Sequence, residues 1–249
     1  SDRALYKEHM QGILLNYQNL EVIADPVIKF LFKGNKIILS RPLESYVMEN
    51  ILFKISFPAE FHAQSAVEAA IQLHKNHGEQ IREVEKISIQ TQEPGVRIID
   101  KTGPLNNPAD RDHCLQYMVA VALIMGDLKA EYYEDDFAKN PLIDTLRERM
   151  EITECKEYSK SYLDPNKRSI ANSVQLFFKD TSSEKIEIHY PIGHRKRREE
   201  GIPELIKKYE ENIQRHYNGE QLTSLLKLIQ SYDDFEKLSI DEFMTMFSI

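Results

Sequence analysis

"HAQSAVEAAIQLHKNHGEQIREVEKISIQTQ", His62 to Gln92, changes its hydrophobic period part-way along. Ala63, Ala66, Val67, Ala70 and His74 recur at i, i+3, i+4, i+7 and i+11, which marks one face of a helix over 62–77, and Gly78 stands where a helix would stop. From Lys86 onward Ile87, Ile89 and Thr91 alternate with polar residues, the period of a half-buried strand. The run "VRIID" (Val96–Asp100) reads as a further strand. Val174, Leu176 and Phe178 alternate, the polar turn "DTSSEK" follows, and Ile186, Ile188 and Tyr190 alternate again, the pattern of a β-hairpin.

Outside this region the pattern is helical. Leu5, Met10, Ile13, Leu14, Tyr17 and Leu20 suggest one or two helices before Asp25-Pro26, and "VIKFLFKGNKIILSRP" reads as a hairpin-like excursion. Leu205, Ile206, Tyr209 and Ile213, then Leu222, Leu225, Leu226 and Ile229, then Ile240, Phe243, Met244 and Phe247 mark two or three more helices. Strands confined to about 45–192, between helical ends, give an α+β fold class. No internal repeat is visible.

Composition limits the chemistry. At 249 residues, 41% hydrophobic and 29% charged, the chain reads as a globular protein with a sizeable core. The sequence shows no apolar run of membrane-spanning length and no signal-peptide pattern, so the expected location is cytoplasmic, without a membrane partner. A net charge of −8 offers nothing general to nucleic acid, which is not expected as a partner. The two cysteines, Cys114 and Cys155, make neither a disulfide framework nor a thiolate metal site, and cannot ligate an iron–sulfur cluster by themselves. No His-rich metal site, phosphate-cradling glycine loop or Ser-centred nucleophile elbow occurs.

Three polar constellations remain. In "FKISFPAEFHAQ", Lys54, Ser56, Glu60 and His62 crowd around Pro58 before a helix, where free N–H groups and the dipole favour a carboxylate ligand and His62 could carry a proton. In "KTGPLNNPADRDHCLQYMVA", Asn106, Asn107, Arg111, His113, Gln116 and Tyr117 gather at the start of a helix expected over 111–126 and capped by Asp110 or Asp112. Arg111 could grip a carboxylate in two-point fashion, while a knot of Asx turns is the structural alternative. In "YPIGHRKRR", a turn held by Pro191 and Gly193 carries His194 and Arg195, which could meet a polyanion or the neighbouring helix. From the residues alone this is an α+β protein with two helix-start sites suited to carboxylates.

These same stretches, with "SYVMENILFKISFPAEFHAQSAVEAA", "DPNKRSIAN" and "YPIGHRKRREEGIP", resemble the C-terminal half of the MmgE/PrpD family from about Phe32 onward. The resemblance implies a cofactor-free, metal-free and iron–sulfur-independent hydro-lyase that removes water from 2-methylcitrate to give 2-methyl-cis-aconitate in propionate catabolism. It also implies a small α/β-sandwich domain at 45–197. The segment 1–44 and the helices of 198–249 would then belong to an all-α domain mostly lying outside this chain. Lys54, His62 and Tyr117 would be catalytic. Ser56, Glu60, Asn106, Asn107, Arg111, His113, Gln116 and Arg195 would contact a tricarboxylate. The partners implied are the N-terminal helical domain and a second copy in a homodimer, and the chain alone is expected to be inactive. The alternatives are an inactive interaction module or a related citrate or cis-aconitate enzyme. The cysteine count disfavours an aconitase-like metal-dependent hydratase.

Overall fold

A computed structural model describes residues 30–33, 36–39, 52–54 and 57–248. The expected helices of 1–24 lie outside the described residues. The described residues form two compact units, one from 30–33, 36–39 and 232–248, the other from 52–54 and 57–231.

In the first unit, β1 (Phe30–Lys33) and β2 (Lys36–Leu39) pair antiparallel with Phe30 opposite Leu39, the hairpin expected of "VIKFLFKGNKIILSRP". The second unit holds a four-stranded mixed sheet of β3 (Val84–Thr91), β4 (Met150–Glu154), β5 (Asn172–Phe178) and β6 (Ser183–Ile188), in the order β4-β3-β5-β6. β3 runs parallel to β4 and antiparallel to β5, and β5–β6 is the hairpin expected from alternation. The β3–β5 register shifts between Val84 and Lys86, a bulge that lets Val84 and Ile87 both reach the core although three residues apart.

The helical layer is built on α1 (Gln64–His77), which follows a 3-10 turn, Phe61–Ala63, and packs against β5, β6 and a second buried helix. Between α1 and the latter comes α2 (Glu93–Ile99). The buried helix is α3 (Leu115–Met125), whose residues 115–123 are all buried, so it has no polar face. On its other side lies α4 (Pro141–Glu148). The ring of His74 fills the gap at the end of α3, donating from Nδ1 to the Leu123 carbonyl at 2.9 Å. Gly126 ends α3 with φ +72°, and a Cβ there would stand 2.4 Å from the His74 ring, so this turn needs glycine for both backbone and space. Later come α5 (Lys156–Leu163), α6 (Arg198–Ile213) and α7 (Gly219–Leu228), with α8 (Tyr232–Lys237) and α9 (Ile240–Met246) in the first unit. A mixed sheet carrying helices makes this an α+β fold.

Two expectations are corrected. "VRIID" is not a strand but most of α2, because Pro94 in the first turn suits a helix and cannot donate to a sheet ladder. The spacing agrees: Ile99 is buried, its neighbour Ile98 is exposed, and Glu93 pairs with Arg97 one turn on at 2.9 Å. The helix expected over 111–126 begins only at Leu115. Neither Asp110 nor Asp112 caps it; a separate single turn, Pro108–Arg111, precedes it and is capped by the Asn107 side chain, which accepts from the Asp110 N–H at 2.9 Å.

Candidate active site

The loop 57–60 delivers ionisable groups to the start of the helical layer. Glu60 caps the 3-10 turn, its Oε2 accepting the His62 backbone N–H at 2.6 Å while Oε1 stands 2.9 Å from His62 Nδ1. Burial opposes ionisation of Glu60, but the hydrogen bonds and charge of His62, helped by nearby His113, win and hold the carboxyl below its usual range. An ionised carboxylate only accepts, so Nδ1 of His62 carries the hydrogen and the lone pair of a neutral ring lies on Nε2. The ring is buried, with the residue 8% exposed. Asn172, at the start of β5, fixes the same residue from behind, donating to the His62 carbonyl and to Ser65 Oγ, both at 2.8 Å.

The polar run 101–117 meets this loop through Tyr133. Its hydroxyl donates to the Pro58 carbonyl at 3.0 Å, and its ring stacks on Tyr117 with centroids 6.0 Å apart. Arg111 is buried and gives Nη1 to the Tyr133 carbonyl at 2.6 Å and to Asp135 at 2.8 Å. Tyr117 donates to the Tyr132 carbonyl at 2.6 Å, and burial pushes its hydroxyl up to about 12, so it stays protonated. Gln116 spans the loop, donating to Asp100 at 2.6 Å and accepting from the Lys101 N–H at 3.2 Å. Asn106 and Asn107 are exposed and joined to Asp110 in an Asx knot. Cys114 is wholly buried with its thiol pushed up, which removes it as a nucleophile.

Arg111, Gln116 and Tyr117 also line a cleft of about 610 Å³, facing Lys101, Arg147 and Asp144. Of the sequence-predicted site residues, Glu60, His62 and His113 lie around one loop and Arg111, Gln116 and Tyr117 around the cleft, bridged by Tyr133. Lys54 is exposed, and its carbonyl accepts from Lys208 at 2.5 Å. Ser56 lies outside the described residues. Among the described residues no group of three or more His, Cys, Asp or Glu is placed to hold a metal ion, and no helix is long and apolar enough to cross a membrane.

Residues 57–234 match the family model described as MmgE/PrpD C-terminal domain. The chain belongs to the MmgE/PrpD family. It is 47% identical over 222 residues to a 2-methylcitrate dehydratase of Escherichia coli O157:H7, covering 88% of this chain and 46% of that protein. A mitochondrial 2-methylcitrate dehydratase of Yarrowia lipolytica is 48% identical over 221 residues, 87% of this chain and 42% of that protein. One from Cupriavidus necator is 47% identical over 223 residues, with 88% and 46% covered. The chain thus spans about half the length of these curated relatives.

Within this MmgE/PrpD domain the basic turn 194–198 makes many contacts inside the fold. Arg195, expected from the sequence to contact substrate, donates here to the carbonyls of Pro165 and Asn166 at 3.1 and 2.8 Å. Arg197 pairs with Glu200 at 2.8 Å on one side and with Glu68 of α1 at 2.7 Å on the other, and Lys196 lies over the Tyr190 ring. His194 is buried, donates from Nε2 to the Arg168 carbonyl at 3.0 Å and accepts the Lys196 N–H on Nδ1 at 3.2 Å. Burial, with Arg195, Lys196 and Arg198 close by, lowers its pKa to about 4. The folded chain therefore holds fewer protons here than the unfolded one between about 4 and 6.5. The stabilisation is complete above 6.5 and is lost as pH falls toward 4, up to about 3 kcal/mol. Urea unfolding at pH 7 and pH 5 should show a loss of about 2 kcal/mol that His194→Gln lacks; equal losses in the two proteins would refute it.

Tyr133, Asn172 and Tyr162, which touches the His62 ring, carry no signal in the sequence that marks them as site residues. Asn172 alone leaves a trace there, as the last residue of "DPNKRSIAN".

Proposed function

We propose that this chain is the C-terminal part of a dehydratase that eliminates water from 2-methylcitrate to give 2-methyl-cis-aconitate, completing its site with an N-terminal half in the cytoplasm. The observation that carries the reading is the Glu60–His62 pair, a buried imidazole held by an ionised carboxylate with its second nitrogen available to a proton. Elimination of water next to a carboxylate needs a base for the α-proton and an acid for the departing hydroxyl, and an imidazole oriented in this way does either. The relatives' shared name supports the choice of substrate.

In this reading His62 moves the proton, and exposed Lys54 meets one carboxylate of the tricarboxylate. Lys101 and Arg111, on the wall of the cleft, meet another carboxylate, while Tyr117 holds the 130–135 segment and stays a neutral donor. The test follows the ultraviolet absorbance of the new double bond. This chain with 2-methylcitrate should be silent, and turnover should appear when the N-terminal half is added. Silence of the combined halves toward 2-methylcitrate would overturn the assignment, and a clear preference for citrate would move it to the related substrate.

A further inference from the structure

Both nitrogens of the buried His62 ring have a partner, and only one of those partners lies in the loop that carries it. Nδ1 faces Glu60, whereas Nε2 stands 3.3 Å from the hydroxyl of Tyr162, one hundred residues on in α5, with ring centroids 5.7 Å apart. Two other tyrosines near the loop use their hydroxyls on backbone carbonyls, Tyr117 on Tyr132 and Tyr133 on Pro58. Tyr162 differs from these two, being half-buried and directed at a ring nitrogen of His62, the one that can exchange a proton. The tautomer follows from Glu60: with the hydrogen on Nδ1, Nε2 is an acceptor and the Tyr162 O–H is its donor.

We propose that Tyr162 is a positioning residue for His62, completing a Glu60–His62–Tyr162 chain in which the carboxylate fixes the tautomer and the tyrosine hydroxyl aims and hydrogen-bonds the proton-carrying nitrogen. When Nε2 takes a proton, the hydroxyl turns and accepts from it, so the ring keeps a partner in both states and does not need to rotate. The catalytic consequence rests on His62 being the acid–base group of the dehydratase; the geometric part does not.

The test separates the two. In this chain labelled with ¹⁵N-histidine, two-bond ¹H–¹⁵N spectra should show His62 protonated at Nδ1 with a hydrogen-bonded Nε2. In Tyr162→Phe, with the backbone spectrum retained, the Nε2 resonance should move to that of an unbonded imine nitrogen while Nδ1 keeps its hydrogen. Glu60→Gln gives a second handle: the amide oxygen must serve the His62 backbone N–H, which leaves the NH₂ facing Nδ1 and drives the hydrogen to Nε2. An unmoved Nε2 resonance in Tyr162→Phe, or an Nδ1–H tautomer persisting in Glu60→Gln, overturns the proposal. With the N-terminal half present, Tyr162→Phe should lower kcat about 10-fold with KM unchanged. A wild-type assembly without turnover would instead defeat the dehydratase reading and leave the spectra to decide the geometry.

Discussion

Replacing His62 with alanine should cut turnover of 2-methylcitrate by about 10²-fold or more when this chain is combined with its N-terminal half, the range that loss of a positioned acid or base produces. Few other described groups offer a replacement base near the imidazole, since Glu60 is held ionised with a lowered pKa and so is a weaker base. Lys54 is exposed, Tyr117 is locked as a neutral donor to Tyr132, and Cys114 is buried with its thiol pushed up. A second imidazole, His113, is close enough to lower Glu60, but it is exposed and bonded to Asp112 at 2.5 Å. Folding should survive the change, because the contacts that hold this loop use backbone: Asn172 and Gln64 bond the carbonyls of His62 and Ala59. The measurement is initial rate by absorbance, with urea unfolding as the control. Wild-type turnover in the mutant would remove His62 from the mechanism, and loss of folding would show up in the unfolding control before any rate was interpreted.

What the sequence reveals and what it hides divide along physical lines. Alternation exposes β5 and β6 because one face of that hairpin is the more buried, and the i, i+3, i+4 spacing of apolar residues exposes α1, although residues 64–70 are buried all round. β4 leaves little trace: in "MEITE" only Met150 and Ile152 are apolar, as suits an edge strand that reaches the core with two side chains. α2 reads wrongly as a strand because Val96, Ile98 and Ile99 suit one by composition, and only Pro94 and the Glu93–Arg97 spacing argue otherwise. Glu60 and His62 are legible as site residues, being two ionisable groups at a helix start. Their third partner is not, since Tyr162 reaches His62 through tertiary packing that no local pattern encodes. The charge run at 194–198 is equally legible in the sequence, while the partners of its cations, neighbouring carbonyls, carboxylates and a ring, come from tertiary packing.

Gly193→Ala should be the most damaging single-methyl change in the second unit. The backbone of Gly193 does not need a left-handed conformation, so the requirement is space alone: an added Cβ would lie 1.7 Å from the Phe53 carbonyl oxygen and 2.7 Å from its carbon. Both are backbone atoms and cannot swing aside as a side chain would. Relief therefore means separating the two backbone segments, which breaks the 3.0 Å bond from the Phe53 N–H to the Gly193 carbonyl. It also disturbs Arg198, which donates to that carbonyl at 3.1 Å and stacks its guanidinium 4.0 Å above the Phe53 ring. The sum is about 3 kcal/mol, at the upper end of overpacking costs. Gly103 is the internal comparison. It has φ +84° but nothing within 4 Å of the point an added Cβ would occupy, so Gly103→Ala carries conformational strain alone, about 1 kcal/mol. Urea midpoints of the two variants should differ accordingly, and Gly193→Ala should in addition displace Lys54, the residue after Phe53, and raise KM for the tricarboxylate in the assembled enzyme. A Gly193→Ala protein as stable as Gly103→Ala would mean that the 53–54 segment is not held against the 193 turn.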